Sequence, residues 1–179
     1  MTKNDLEIEL LSSNWIKFED DEDDLCAHGQ VRVRIGTEII VDEGKKEDFW
    51  TTSAMSVHLL RTLDKNHNSD NLVGEHIIPC CGHHIDHLDN EESVHIQGCM
   101  TGYNFWVEHD NNQVILTTEK ETKIKISFKE YKTEVFRFVD KVEDFYKTSK
   151  PKKLPEDEYD RKGYEMMWKE WRKLKQKWK

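Results

Sequence analysis

Between residues 80 and 87 the chain reads Cys80-Cys81-Gly82-His83-His84-Ile85-Asp86-His87, the densest gathering of metal-binding and proton-moving groups in its 179 residues. Thiolate and imidazole are the ligands zinc prefers, so Cys80, Cys81, His83 and His87 are candidate metal ligands, to be completed by one or two of Cys26, His28, His95 and Cys99. The spacing is not that of a common zinc motif, in which ligands two to four residues apart recur as a second pair further on. A second chemistry for the same residues is a cysteine nucleophile activated by a neighbouring histidine. Catalytic Cys and His usually come from distant segments, however, and no family-specific motif surrounds these cysteines. The inert alternative makes Cys80 and Cys99 small buried hydrophobes at strand ends, with the histidines in an exposed loop running into Asp89-Asn90-Glu91-Glu92.

Other signatures of catalysis are missing. There is no phosphate-cradling Gly-rich loop, no dinucleotide fingerprint, no nucleophile elbow and no HExxH helix. With 36 acidic residues, neighbouring carboxylates are unavoidable and do not single out an acid/base pair. The balance shifts toward binding, with no catalytic residue assigned.

Charge points the same way. Glu19, Asp20, Asp21, Glu22, Asp23 and Asp24 form an unbroken acidic block, whereas Lys169 to Lys179 carries six cations against Glu170. The block lacks the spaced Asp/Asn pattern and central Gly of a calcium loop. As a solvated turn it needs no function, and as a surface it suits a basic protein partner. The formal charge of −9 and a pI near 5.5 argue against a nucleic-acid binder, which needs a net basic surface to displace counterions. The basic tail complements the macrodipole at a helix C-terminus.

The elements that must hold these groups can be read from periodicity. Leu6, Ile8 and Leu10, and then Val31, Val33 and Ile35, alternate with polar residues as half-buried antiparallel strands do, and Trp15–Phe18 and Thr37–Val41 are shorter candidates. A helix capped by Thr52 or Ser53 carries Met55, Leu59, Leu60 and Leu63, covers a sheet face, and ends at the Asp64–Asn68 loop. His76–Pro79, Val94–Cys99, Tyr103–Glu108, Gln113–Thr118 and Lys123–Phe128 predict a meander, tightly connected at Asp110-Asn111-Asn112 and Glu119-Lys120-Glu121. Trp106 falls on the polar side of its strand, and Trp15 and Trp106 are the candidate exposed aromatic contacts.

Phe128, Tyr131, Val135, Phe138, Val142 and Phe145 form one helical stripe. Pro151 and Pro155 break it, placing a linker over 149–156. A last helix starts near Glu156 or Asp157 and carries Tyr164, Met167, Trp168, Trp171, Leu174 and Trp178, with Gly163 as a weak point.

These elements predict one α+β domain over residues 1–179, an antiparallel sheet packed against one internal and two C-terminal helices. No run of about 20 apolar residues and no leader-like N-terminus is present, so no membrane role and a cytoplasmic setting are expected, with the four cysteines as thiols or metal ligands. In size, acidity, α+β organisation and lack of catalytic motif, the chain resembles the immunity proteins of bacterial polymorphic-toxin systems. The likeness rests on overall character, so no residue role is carried over. It implies a non-enzymatic inhibitor without cofactor that neutralises a basic toxin, the acidic block steering association with the partner. The alternative from another class is a zinc-binding protein or metal-dependent hydrolase centred on Cys80 to His87.

Overall fold

Alternation of apolar and polar residues sets the first sheet of the computed structural model, which describes residues 5–42, 49–82, 84–87 and 92–179. β1 (Leu6–Leu10) pairs antiparallel with β3 (Val31–Ile35), Leu6 opposite Ile35 and Leu10 opposite Val31. β4 (Glu38–Val41) adds to the far side of β3. The turn between β3 and β4 uses Gly36 at φ +59°, a conformation glycine adopts without steric cost. Two short strands, β2 (His28–Gly29) and β5 (Trp50–Thr51), form a separate ladder. Trp15–Phe18 is not a strand. Asn14 makes a lone bridge to His28, after which Trp15 turns inward and is 3% exposed.

The meander is present as β10 (Phe105–Asp110), β11 (Gln113–Thr118) and β12 (Lys123–Ser127), in that spatial order. Its first tight turn places Asn111 at φ 55°, a left-handed position that asparagine tolerates. The predicted strand Tyr103–Glu108 is split, because Asn104 leaves the ladder to accept hydrogen bonds on Oδ1 from the Ile77 N–H at 2.8 Å and from His67 at 3.2 Å. Tyr103 therefore belongs to β9 (Gly102–Tyr103), which pairs with β6 (Ile78–Pro79). The segment read as an exposed loop is a strand, β7 (His84–His87), paired with β8 (Val94–Gln97).

Three helices close the fold. α1 (Thr52–Arg61) was expected to cover a single face, yet all ten of its residues are buried. Most of its polar side chains are consequently bonded: Ser56 donates to the Thr52 carbonyl, His58 Nδ1 to the His76 carbonyl, and Arg61 reaches Glu170, while His58 Nε2 is buried without a partner. Its N-terminus is capped from outside, since the Thr52 and Ser53 N–H groups both donate to the Ala27 carbonyl. α2 (Phe128–Thr148) begins at a reciprocal Ser127/Glu130 capping box and buries Tyr131, Val135, Phe138, Val139 and Val142. α3 (Glu158–Trp178) starts at Asp157, whose side chain accepts the Tyr159 and Asp160 N–H groups. Gly163 does more than weaken α3. A Cβ there would lie 2.2 Å from the Ile85 carbonyl oxygen, so glycine lets the backbone of β7 lie directly on the helix. One apolar cluster runs from Leu6 to Trp171 through every layer. No described helix is long and apolar enough to cross a membrane.

Candidate metal centre

The cysteines separated by eighteen residues of sequence meet because β6 and β9 pair. Pro79 stands opposite Gly102, and one step further the Cys80 N–H donates to the Thr101 carbonyl at 3.2 Å. Cys80 and Cys81 thus leave β6 beside the turn that carries Cys99 into β9. The Thr51 hydroxyl, at the start of α1, donates to the Cys80 carbonyl at 2.8 Å and fixes the pair from the core side. Cys99 Sγ lies 3.6 Å from the Thr101 carbonyl, so its side chain folds back toward Cys80.

The result is three sulfurs whose atoms all lie within 4.8 Å of one another, Cys80 and Cys81 Sγ being 3.9 Å apart. Each side chain is half-buried. Crowding sets their proton affinities. Hydrogen bonding to Cys99, then burial and the Cys80 thiol, push the Cys81 thiol up to about 12. Backbone hydrogen bonding at Thr101, and next the Cys81 thiol, hold Cys99 below the usual thiol range. Of these two thiols, Cys99 is the one held toward the thiolate.

A tetrahedral ion with metal–sulfur bonds of about 2.3 Å keeps its sulfurs roughly 3.8 Å apart. The Cys80–Cys81 separation matches that, and no pair exceeds it by more than about 1 Å. Thiolate donors select zinc and other thiophilic ions over calcium or magnesium, which take oxygen.

Not every expected ligand joins this cluster. Cys80 and Cys81 are in it, and His83 lies outside the described residues. His87 is not part of it. At about 3.3 Å per residue, β7 carries His87 roughly 10 Å along the chain from His84, where its ring stacks 4.7 Å from Tyr159 of α3. His95 is exposed on β8 and stays apart. His28 turns its Nδ1 to the Cys26 carbonyl. Cys26 is buried, contacting the Ser53 hydroxyl at 3.5 Å and the Gly82 carbonyl at 3.7 Å, and burial pushes its thiol up to about 12. It is an inert core thiol. Cys99 is the ligand that short-range spacing undervalued, because the β6–β9 pairing joins it to the others.

Half of the second candidate site, Asp20, Asp21 and Asp24, is engaged by the chain itself. Asp20 accepts the Lys150 N–H at 2.7 Å and Lys152 Nζ at 2.8 Å, and these bonds lower its pKa. Asp21 accepts the Asp23 N–H and faces Lys17, and Asp24 accepts the Ile16 and Cys26 N–H groups. Lys152 also lies 3.4 Å above the Trp15 ring. The block therefore clamps the linker between α2 and α3. Trp15, expected as an exposed contact, is sealed beneath that clamp, since its large apolar ring packs on Phe145 and Tyr146. Glu19, Glu22 and Asp23 remain exposed. Trp106 is half-buried against His67, 5.4 Å away.

Comparison of the chain with known protein families, characterised proteins and solved structures finds no match.

Proposed function

We propose that this is a zinc-binding protein whose ion is held by Cys80, Cys81 and Cys99. The single observation that carries the proposal is the convergence of three sulfurs, from two loops far apart in sequence, at nearly the separation a tetrahedral ion requires. Three thiolates fill three of the four positions around the ion. Binding displaces thiol protons, so affinity rises with pH. Because the ion would tie the β6 end to the β8–β9 turn, it also supports the β7–β8 hairpin that packs on α3.

Metal analysis after exposure to excess zinc and dialysis tests this. One zinc per chain is expected, with at least a tenfold weaker affinity in Cys99→Ser and unchanged stoichiometry in Cys26→Ser. Failure to retain zinc at micromolar protein, or equal retention by Cys99→Ser, would refute it.

A second reading, a docking face for a basic protein partner of the kind toxin inhibitors bind, has one observation in its favour. Phe18 sits at the edge of the acidic block, 69% exposed and at φ 58°, an unusual backbone conformation for a bulky residue. Glu19 follows it directly, and Glu22 and Asp23 lie exposed further along the block, Asp23 within 3.7 Å of Lys153. The reading predicts salt-sensitive recovery of a basic protein from the native host that Phe18→Asp abolishes. It fails if Phe18→Asp recovers the same protein equally.

A further inference from the structure

We propose that the same three cysteines are a thiol-oxidation site, which closes a disulfide between Cys99 and one member of the Cys80–Cys81 pair. The proposal deepens the zinc reading by naming its regulation, but formation of the bond does not require the ion.

The choice of partners follows from geometry. Cα atoms joined by a trans peptide are 3.8 Å apart, shorter than the 4.4–6.8 Å usual across a disulfide, so Cys80 and Cys81 are poorly placed to bond each other. Cys99 comes from the opposing loop, and its sulfur already lies within 4.8 Å of both. An S–S bond is about 2.05 Å, so the sulfurs must close by up to about 2.8 Å, which rotation of half-buried side chains can supply. Backbone pairing at Cys80 and Thr101 holds the two loops in place during that rotation. Access is open, since Met100, next to Cys99, is fully exposed. Cys26, buried beside Ser53, takes no part.

A hydroperoxide serves as the oxidant. One sulfur attacks the outer peroxide oxygen, the O–O bond breaks, and a sulfenic acid forms with release of an alcohol, or of water from hydrogen peroxide. A second sulfur then attacks the sulfenic sulfur. The S–S bond forms, the S–O bond breaks, and the departing hydroxide takes the thiol proton as water. Two thiols lose two electrons to one peroxide. The third sulfur remains free and can exchange with the disulfide. With one thiolate left, the zinc site is dismantled and the ion released.

The test treats metal-free and zinc-loaded protein with one equivalent of hydrogen peroxide. Free thiols counted after unfolding should fall from four to two, and dithiothreitol should restore four. No Lys or Arg lies between Lys65 and Lys120, so trypsin leaves all three cysteines on one peptide. A protease cutting at acidic residues should instead yield a cross-link between the Cys80–Cys81 and Cys99 peptides. The zinc-loaded sample should release its ion to a chromogenic chelator as the cross-link appears. Cys99→Ser should keep its three thiols, and Cys26→Ser should behave as the parent. Loss of two thiols in Cys99→Ser, intermolecular dimers, or over-oxidation without a cross-link would overturn the proposal. A cross-link in a protein that binds no zinc would sink only the metal reading, and zinc binding without a cross-link only this one.

Discussion

Replacing Glu170 by Gln should destabilise the fold far more than a typical polar substitution. Glu170 on α3 and Arg61 at the end of α1 form a buried bidentate pair, Nε to Oε1 at 2.7 Å and Nη2 to Oε2 at 2.8 Å, with side chains only 6% and 10% exposed. Arg61 also donates to the Val73 and Val94 carbonyls, and the Val94 N–H donates to Glu170. Glutamine keeps the shape but removes the charge and turns an amide donor toward guanidinium donors. Removing one partner of such a pair costs about 3–5 kcal/mol, because the other charge stays buried without compensation. For a chain of this size each kcal/mol moves Tm by about 2–4 °C, so a fall of at least about 6 °C is expected.

Urea unfolding and calorimetry at pH 7 measure this directly. The double variant Arg61→Met/Glu170→Leu should recover only part of the loss, since the desolvated charge is then gone while the Val73 and Val94 backbone groups lose their partners. Val94 opens β8, the strand that leads to Cys99, so zinc affinity should also weaken in Glu170→Gln although neither Arg61 nor Glu170 touches a sulfur. A Glu170→Gln protein within 1 kcal/mol of the parent would refute this reasoning.

Three further outcomes are expected. Iodoacetamide on the native protein should modify Cys99 first and Cys26 only after unfolding, and peptide mapping that finds Cys26 labelled as fast as Cys99 would contradict the assignment of Cys26 as a buried thiol. Burial, and then the Arg61 charge, lower the His58 pKa to about 3, so below the ordinary value of 6.5 the unfolded chain binds a proton that the native state refuses. Stability should therefore fall as the pH drops, by about 2 kcal/mol from this group between pH 7 and pH 5, and denaturant midpoints of His58→Asn should show a shallower slope over that window. Lys152→Met should cost about 1–2 kcal/mol through loss of its contact with the Trp15 ring, and should open the linker at 149–156 to limited proteolysis, whereas unchanged cleavage would show that the acidic block does not clamp it.

Which parts of this were legible follows from the range of the interactions involved. Period-two alternation in Leu6–Leu10 and Lys123–Ser127, and the continuous stripe from Phe128 to Phe145, report burial of one face, a property each segment carries in its own residues. The prolines at 151 and 155 act on their immediate neighbours, so the break between the two long helices was equally plain. β7 was not, because its residues are polar and its strand conformation depends on pairing with β8 and on the gap that Gly163 leaves in α3. The complete burial of α1 was hidden for a similar reason, since His58 and Arg61 find partners in His76 and Glu170, distant in sequence. At the candidate site, Cys80 and Cys81 stood out by adjacency, and His87 was overvalued on the same ground.

The sequence by itself therefore determined the α+β class, the long helices and their break, and the supply of thiols and carboxylates. Tertiary structure alone decided how these were used. It brought Cys99 to Cys80 and Cys81 through the β6–β9 ladder, withdrew His87 to α3, and turned the acidic block onto Lys150 and Lys152. The physical reason is that periodicity encodes which way a side chain faces, whereas coordination and ion pairing depend on which distant backbones pair.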